Sequence, residues 1–494
     1  TTDAWLRVVL GQPANLAKLL ALYSPRNRIE LQPEKLFAAS ARLASRWYFA
    51  CLGNFRADCS APETLARLRS HILLDDERLT IESPEVHFAY FGATYIDDRL
   101  DRVIKRRINR LFQANRVCQR RIVNRPNPRR IAVLTAMWWP GQSVYRSQQP
   151  FLAALAEKYE LVLIQLGKTR REPDRGCFRE VRHLSLADGA KTFDPIDPND
   201  FAMAYFPDVG MSRESIVLSN MRIAPIQVAN YGHPSSTHGG LIDYWIGGRE
   251  VESIAAAREN YSERLVLIPG CAQAPLPVDY RPTFPTPDDA TIQVSCSWYA
   301  QKINVDHLRR LAEIARRAKR PVNFRFLPGS SIAMNNFIPL KQHLEAALGL
   351  DRFTLFSALD YAPYMAALES AHFALDAHPF GGYNTAVDLL SLRQPIVTLE
   401  GDRFYGRSTA YLLRRAGLDN LIATTDEQFI DLAVRMIDDA GFRAEQNARL
   451  RALDLDSTVL SLEHVPAFVR AVDHLIANHD SLSRDVDRAP ILID

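Results

Sequence analysis

The chain has 494 residues, 47% of them hydrophobic and 24% charged, with a net charge of +3. That length exceeds one ordinary domain and supplies core material for two to four. The charge is too small to imply a nucleic-acid partner, and no apolar run approaches the ~20 residues that cross a bilayer.

The opening TTDAWLRVVLGQPANLAKLL lacks an initiator methionine and any basic-then-apolar leader pattern. It reads as an artificial or processed end and predicts no export. Cys51, Cys59, Cys118, Cys177, Cys271 and Cys296 show no CxxC or Cys/His ligand spacing. Reduced core thiols in a cytoplasmic protein are expected.

Residues 1–125 are predicted to form an all-α domain. Apolar residues recur at three- and four-residue spacing in LAKLLALYS and KLFAASARLASRWYFACLG, without strand-like alternation. No 34-residue repeat of helix pairs is present. Between Arg99 and Arg130, RLDRVIKRRINRLF and RVCQRRIVNRPNPRR are dense in arginine. They read as a solvated helix face beside an acidic neighbour, or as a docking surface for a negatively charged partner. Aromatic interleaving is scarce there, so single-stranded nucleic acid is not expected.

The texture changes at RPNPRR. Strand candidates RIAVLTAMWW, YELVLIQLG, FAMAYFPD, PIQVANYG and DYWIGG then alternate with helix candidates such as SQQPFLAALAEKY. This is the rhythm of a parallel sheet with crossover helices, predicted over 126–275. A proline-rich break, PLPVDYRPTFPTPDD, follows. The alternation restarts with TIQVSCSW, VNFRFLPG, RFTLFSAL, HFALDAHP and QPIVTLEG, and LEHVPAFVRAVDHLIA is a late amphipathic helix. A second α/β domain with a closing helix is predicted over 276–494. Two such sheets in tandem place a ligand cleft between them.

HPFGGYNTAVDLLSLRQPIVTL reads as strand, turn and helix. Gly381 and Gly382 permit φ > 0 and close backbone approach. Asn384 and Thr385 are good N-cap types, so their N–H groups and side chains would point at whatever sits on the helix end. That end is an anion site. Asp388 lies one turn further, where a carboxylate can accept hydrogen bonds from a diol such as a ribose. In CSWYAQKINVDHL, Lys302 falls between a strand and a helix, where a lysine can meet a diphosphate. In YGHPSSTHGGLIDYWIGG, His233 and His238 lie five residues apart in a polar loop. No third ligand sits at close spacing, so a proton carrier or phosphate partner is favoured over a metal site.

Together HPSSTHGGLIDY, SWYAQKIN, HPFGGYNTAVDLL and GDRFYGRSTAYLLRRAGLDNLIA resemble the glycosyltransferase family of nucleocytoplasmic O-GlcNAc transferases and bacterial adhesin N-glucosyltransferases. The resemblance covers about residues 130–480. It implies an α/β GT-B fold, two facing Rossmann-like domains, here preceded by the all-α domain. It also implies a UDP-sugar donor held mainly by the C-terminal domain. Lys302 would neutralise the diphosphate, Asn384 and Thr385 would cap it, Asp388 would hold the ribose, and Tyr299 would lie near the nucleotide. His238, supported by His233, is the candidate near the acceptor.

HPSSTH and HPFGGYN are closer to the bacterial branch, GDRFYGRSTAYLL to the O-GlcNAc branch. Gln142 stands where the bacterial pattern has a histidine, and Gly329-Ser330-Ser331 where it has a glutamine. The expected reaction is inverting and metal-free transfer of a hexose, from UDP-glucose first, to asparagine of an acceptor protein, an adhesin among the candidates. The alternatives are O-GlcNAc-type transfer to Ser/Thr, a UDP-sugar 2-epimerase, or a non-catalytic sugar-nucleotide-binding protein. The E-x₇-E pattern of retaining hexosyltransferases is absent around GGYNT.

Overall fold

The computed structural model describes residues 13–494 except 28, 30, 54–57, 82–84, 169–170, 187–192, 198–199 and 330–333. The chain opens with helices α1 (Pro13–Leu22), α2 (Pro33–Ala39), α3 (Ala41–Gly53), α4 (Pro62–Leu73), α5 (Val86–Ile96) and α6 (Asp101–Gln113). Proline occupies the first turn of α2 and α4, where its missing N–H costs nothing. Tyr48, Phe49, Leu52, Leu68, Ile72, Tyr90, Ile104 and Ile108 are buried in the core of this bundle.

The arginine-rich stretch departs from a simple solvated face. Helix α6 turns Arg102, Arg106 and Arg110 outward but buries Asp101, Lys105, Arg107 and Asn109. Arg107 is buried because it has partners inside, the Tyr48 hydroxyl and the Ile72 carbonyl.

Next come strands β1 (Asn127–Thr135), β2 (Glu160–Leu166), β3 (Glu180–Leu184), β4 (Phe201–Phe206), β5 (Ile226–Ala229), β6 (Tyr244–Gly248) and β7 (Arg264–Ile268). The second sheet contains β8 (Ile292–Cys296), β9 (Val322–Phe326), β10 (Phe353–Leu355), β11 (Phe373–Leu375), β12 (Ile396–Leu399) and β13 (Ile422–Ala423). The first sheet runs 14-7-6-5-4-1-2-3, where β14 is Ile491–Leu492, and the second 10-9-8-11-12-13. All pairings are parallel, with Ile131 of β1 opposite both Leu161 and Met203. Strands buried on both faces explain the continuous apolar runs such as FAMAYF.

In each sheet the strand order reverses beside the first strand, at β1/β4 and at β8/β11. A crevice forms there at the carboxyl ends of the strands. Four later helices matter for the site: α7 (Ser143–Ala156), α8 (Tyr383–Ser391), α9 (Phe404–Arg415) and α10 (Val465–Leu482).

The closing helix differs from the sequence expectation, which placed it with the second sheet. Phe468 of α10 stacks on Phe151 of α7 at 4.6 Å, and Tyr159 donates to Asp473 at 2.6 Å. Strand β14 then pairs with β7, Ile491 opposite Val266. Both elements therefore pack on the first sheet, where α7 offers an apolar face. The six cysteines are free thiols, five of them buried. Among the described residues no helix is long and apolar enough to cross a membrane.

Candidate active site

The crevice between the two sheets holds a cavity of about 560 Å³. Its second-sheet wall starts where β8 ends. Trp298 is pinned there, its indole N–H donating to the Leu375 carbonyl at 2.7 Å and its ring stacked on His307 at 4.3 Å. The chain then turns through Tyr299 into a short 3-10 turn, Ala300–Lys302. That turn aims Lys302 across to the glycine turn, where its Nζ donates to the Gly381 carbonyl at 2.6 Å. Nζ also lies 5.0 Å from the Phe380 ring centre. Burial lowers the Lys302 pKa to about 8, against the pull of the buried Asp376 carboxylate.

The glycines serve close approach. Neither Gly381 nor Gly382 has positive φ. A Cβ on Gly381 would sit 2.7 Å from Asp376 Oδ2 and 2.8 Å from the Tyr405 carbonyl oxygen. Only glycine fits there without moving backbone. Gly382, not Asn384 or Thr385, is the N-cap of α8, with extended φ of −136° and no side-chain cap. The first-turn N–H groups of α8 therefore lack a side-chain acceptor and remain suited to an anion. Asn384 and Thr385 lie in that first turn, and Asn384 Nδ2 donates across the crevice to the Ser143 carbonyl at 3.1 Å.

Tyr299, Lys302, Gly381, Gly382, Asn384, Thr385 and His233 all line this one cavity. Gln142 and Gly329 line it too; Ser330 and Ser331 fall outside the described residues.

Two of the sequence candidates are elsewhere. Asp388 is buried behind the wall, its Oδ1 2.6 Å from Arg146 Nη2 and 2.8 Å from the Tyr361 hydroxyl. His238 is also buried and turned away from the cavity, its Nε2 3.4 Å from Asp101 Oδ1 of α6. Its φ of +50° carries the chain around this corner.

His233 does line the cavity, with its ring 4.7 Å from that of Phe91 and its Nε2 3.5 Å from the Thr94 hydroxyl. Burial, then the nearby Lys105 charge, push its pKa well below the usual imidazole value, against the pull of Asp101. His233 is therefore a neutral imidazole.

Sequence reasoning missed an aromatic wall. Phe91 and Tyr95 of α5 stand 5.4 Å apart, Tyr95 meets Phe380 at 4.4 Å, and Phe380 stacks on Tyr405 at 4.5 Å. The wall joins the helical bundle to the second sheet across the cavity. Its only sequence signal is the aromatic density of VHFAYFGATYI, which reads equally as core. Arg146 was missed as well; the signal is a cation on the otherwise apolar stripe of SVYRSQQPFLAAL.

Two facing parallel sheets with the crevice at their carboxyl edges constitute the GT-B architecture of glycosyltransferases. The O-GlcNAc transferase of Thermobaculum terrenum matches this fold with a TM-score of 0.70 at 19% identity, over 98% of this chain and 92% of that one. No family model matches the chain. A UDP-glucose:protein N-β-glucosyltransferase of Actinobacillus pleuropneumoniae serotype 5b (strain L20) is 25% identical over 458 residues, 87% of this chain and 72% of that protein. SPINDLY of Hordeum vulgare, named a probable UDP-N-acetylglucosamine–peptide N-acetylglucosaminyltransferase, is 26% identical over 259 residues, 51% of this chain and 27% of that one. The chain is thus a homologue of UDP-sugar-dependent protein glycosyltransferases, the group to which its motifs point.

Proposed function

We propose that the protein transfers a hexose from a UDP-sugar, UDP-glucose first among them, to the side-chain amide of asparagine in an acceptor protein. The reaction is inverting, needs no divalent metal and takes place in the cytoplasm, where six free thiols persist. An adhesin is one acceptor that fits the bacterial relatives.

One observation carries the reading: the Lys302 ammonium and the uncapped N-terminus of α8 meet over Gly381 and Gly382 on a single wall of the interdomain cavity. Charge grows on the departing diphosphate as the glycosidic bond breaks. A fixed cation and a helix N-terminus stabilise that charge without reorganising in the transition state. In this reading Lys302 and the N–H groups of Asn384 and Thr385 hold the diphosphate, and Tyr299 lies against the nucleotide. Asp388 takes the ribose by exchanging Arg146 for its hydroxyls. His233 and His238 belong to the acceptor side, His233 at the cavity and His238 as support for the loop. The outward arginines of α6 are the docking strip for an acidic stretch of the acceptor.

A second reading, transfer of N-acetylglucosamine to Ser/Thr, draws on the similarity to the SPINDLY proteins. The test is incubation with UDP-glucose, UDP-galactose or UDP-GlcNAc and Asn-x-Ser/Thr or Ser/Thr-rich peptides, read by intact mass. A hexose on the asparagine peptide supports the proposal, and an N-acetylhexosamine on the Ser/Thr peptide replaces it with the second reading. An altered sugar nucleotide without peptide product points to an epimerase, and donor binding with neither product to a non-catalytic protein.

A further inference from the structure

Beneath the His233–His238 loop lies a fully buried polar cluster that the reaction as described does not use. Lys105 of α6 is 0% exposed and Asp101 1%. The Lys105 ammonium has three oxygen partners, Asp101 Oδ2 at 3.3 Å, Ser235 Oγ at 2.8 Å and the Ser236 carbonyl at 3.2 Å. Asp101 Oδ2 also accepts from Ser235 Oγ at 2.7 Å and from Thr94 Oγ1 of α5 at 3.2 Å. Around this pair, Asn109 and Tyr90 donate to the Thr237 carbonyl at 2.7 and 3.1 Å, and Glu263 accepts from Ser236 Oγ at 2.7 Å and the Thr237 N–H at 2.9 Å. Burial would raise the Asp101 carboxyl, but Lys105 and the hydrogen bonds hold it well below the usual range, so it is ionised.

Burying an ion pair between two domains stabilises little compared with apolar packing of the same volume. Burial of this kind is better explained by the geometry that it fixes. Thr94 has one hydroxyl proton, and Asp101 Oδ2 accepts it. The Thr94 oxygen can then only accept from the imidazole nitrogen 3.5 Å away, His233 Nε2. His233 Nδ1 is itself buried and has no partner among the described residues. The direction of the whole chain of bonds is set by the Asp101 charge, the logic by which a buried carboxylate selects a histidine tautomer.

We propose that Asp101 and Thr94, on the two last helices of the all-α bundle, are positioning residues that hold His233 at the cavity wall as the neutral Nε2–H tautomer, with the buried Nδ1 left bare. The bundle is then a working part of the site. The functional half of this inference rests on the transferase reading above; the tautomer half does not.

The test pairs kinetics with a direct view of the ring. Thr94→Val keeps the shape of the side chain and removes the hydroxyl. It lowers kcat for peptide glycosylation by roughly 10–100-fold and leaves the Kd for UDP unchanged, and Thr94→Ser restores kcat. Wild-type kcat in Thr94→Val, or equal loss in Thr94→Ser, overturns the proposal. In full-length protein labelled with ¹⁵N-histidine, the signal assigned by its loss in His233→Gln shows a protonated Nε2 and bare Nδ1 at neutral pH. In Thr94→Val and Asp101→Asn that tautomer is no longer enforced. A wild-type ring protonated at Nδ1, or at both nitrogens, overturns the positioning role. If the wild type modifies no peptide, the nuclear magnetic resonance result still decides the tautomer, while the transferase reading fails by itself.

Discussion

Arg146 of α7 and Asp388 of α8 meet across the interdomain crevice, Nη2 to Oδ1 at 2.6 Å, with side chains only 13% and 4% exposed. The pair ties the first sheet's domain to the second's at the position that the sequence assigns to a ribose. Tyr361 adds a hydroxyl to the same carboxylate at 2.8 Å.

Removing one partner leaves the other charge buried and uncompensated. Asp388→Ala is expected to lower stability by about 3 kcal/mol, visible as a lower thermal midpoint, and also to weaken UDP binding. The double variant Arg146→Met/Asp388→Leu recovers most of the stability but none of the UDP affinity. A double variant as unstable as the single one refutes the pairing account. Undiminished UDP affinity by calorimetry refutes the ribose role.

Lys302→Ala is expected to lower kcat for transfer by about 10²–10³ with a nearly unchanged thermal midpoint. Because burial sets the Lys302 pKa at about 8, UDP binding strengthens as pH falls below that value and weakens as pH rises through it. A bound diphosphate raises this pKa, so protons are taken up on binding just above pH 8; calorimetry in buffers of different ionisation enthalpy measures the uptake. For folding the sign is opposite. The folded-state value lies below that of the unfolded chain, so this group disfavours folding most below about 8, and the penalty fades as pH rises toward about 10.4. Zero proton uptake overturns the assignment of Lys302 to the diphosphate.

Gly329 has φ of +83°, and a Cβ there would lie 2.7 Å from Tyr299 Cε2. Gly329→Ala therefore costs roughly 1–2 kcal/mol in backbone strain and pushes the tyrosine ring from its place in the cavity. The expected kinetic sign is a raised KM for the UDP-sugar with a smaller change in kcat. An unchanged donor KM removes Tyr299 from the nucleotide site.

Turnover is expected to survive EDTA, since the proposed cation for the leaving group is Lys302. Activity lost to the chelator and restored by Mg²⁺ or Mn²⁺ overturns the metal-free mechanism.

Arg102, Arg106 and Arg110 are exposed on one face of α6, spaced by four residues, and no ion pair engages them among the described residues. Reversing all three to glutamate is expected to raise the KM for acceptor peptides flanked by glutamates and to leave the UDP affinity alone. Salt has the same effect on the wild type. Equal KM values for glutamate- and lysine-flanked peptides rule out this docking strip.

The local half of the cavity wall was readable from sequence. A strand, two glycines and a helix start within HPFGGYNT, and a lysine after SWYAQ, are short-range patterns that the backbone obeys wherever the chain goes. What escaped depends on long-range contact. Arg146 and Asp388 are 242 positions apart in the chain. The inward Asp101 and Lys105 looked like solvent-facing charges because helical periodicity cannot distinguish a polar face in water from one packed on another domain's polar loop. His238 was misplaced for the same reason: only the folded bundle supplies the carboxylate that turns it away. The closing helix joined the first sheet through Phe468 and Phe151, a match of apolar faces that spacing along the chain does not encode.

That return of α10 and β14 means the polypeptide passes between the two halves of the crevice twice, once through the proline-rich stretch after β7 and once before Val465. Two separate tethers leave the halves far fewer ways to move than one would. Free swivelling or sliding would stretch one tether, so the permitted motion is rotation about the line through both. The first tether is itself fastened to the Arg146–Asp388 pair, since the Leu276 N–H donates to the Arg146 carbonyl at 2.9 Å, so that contact sits at the axis of the motion.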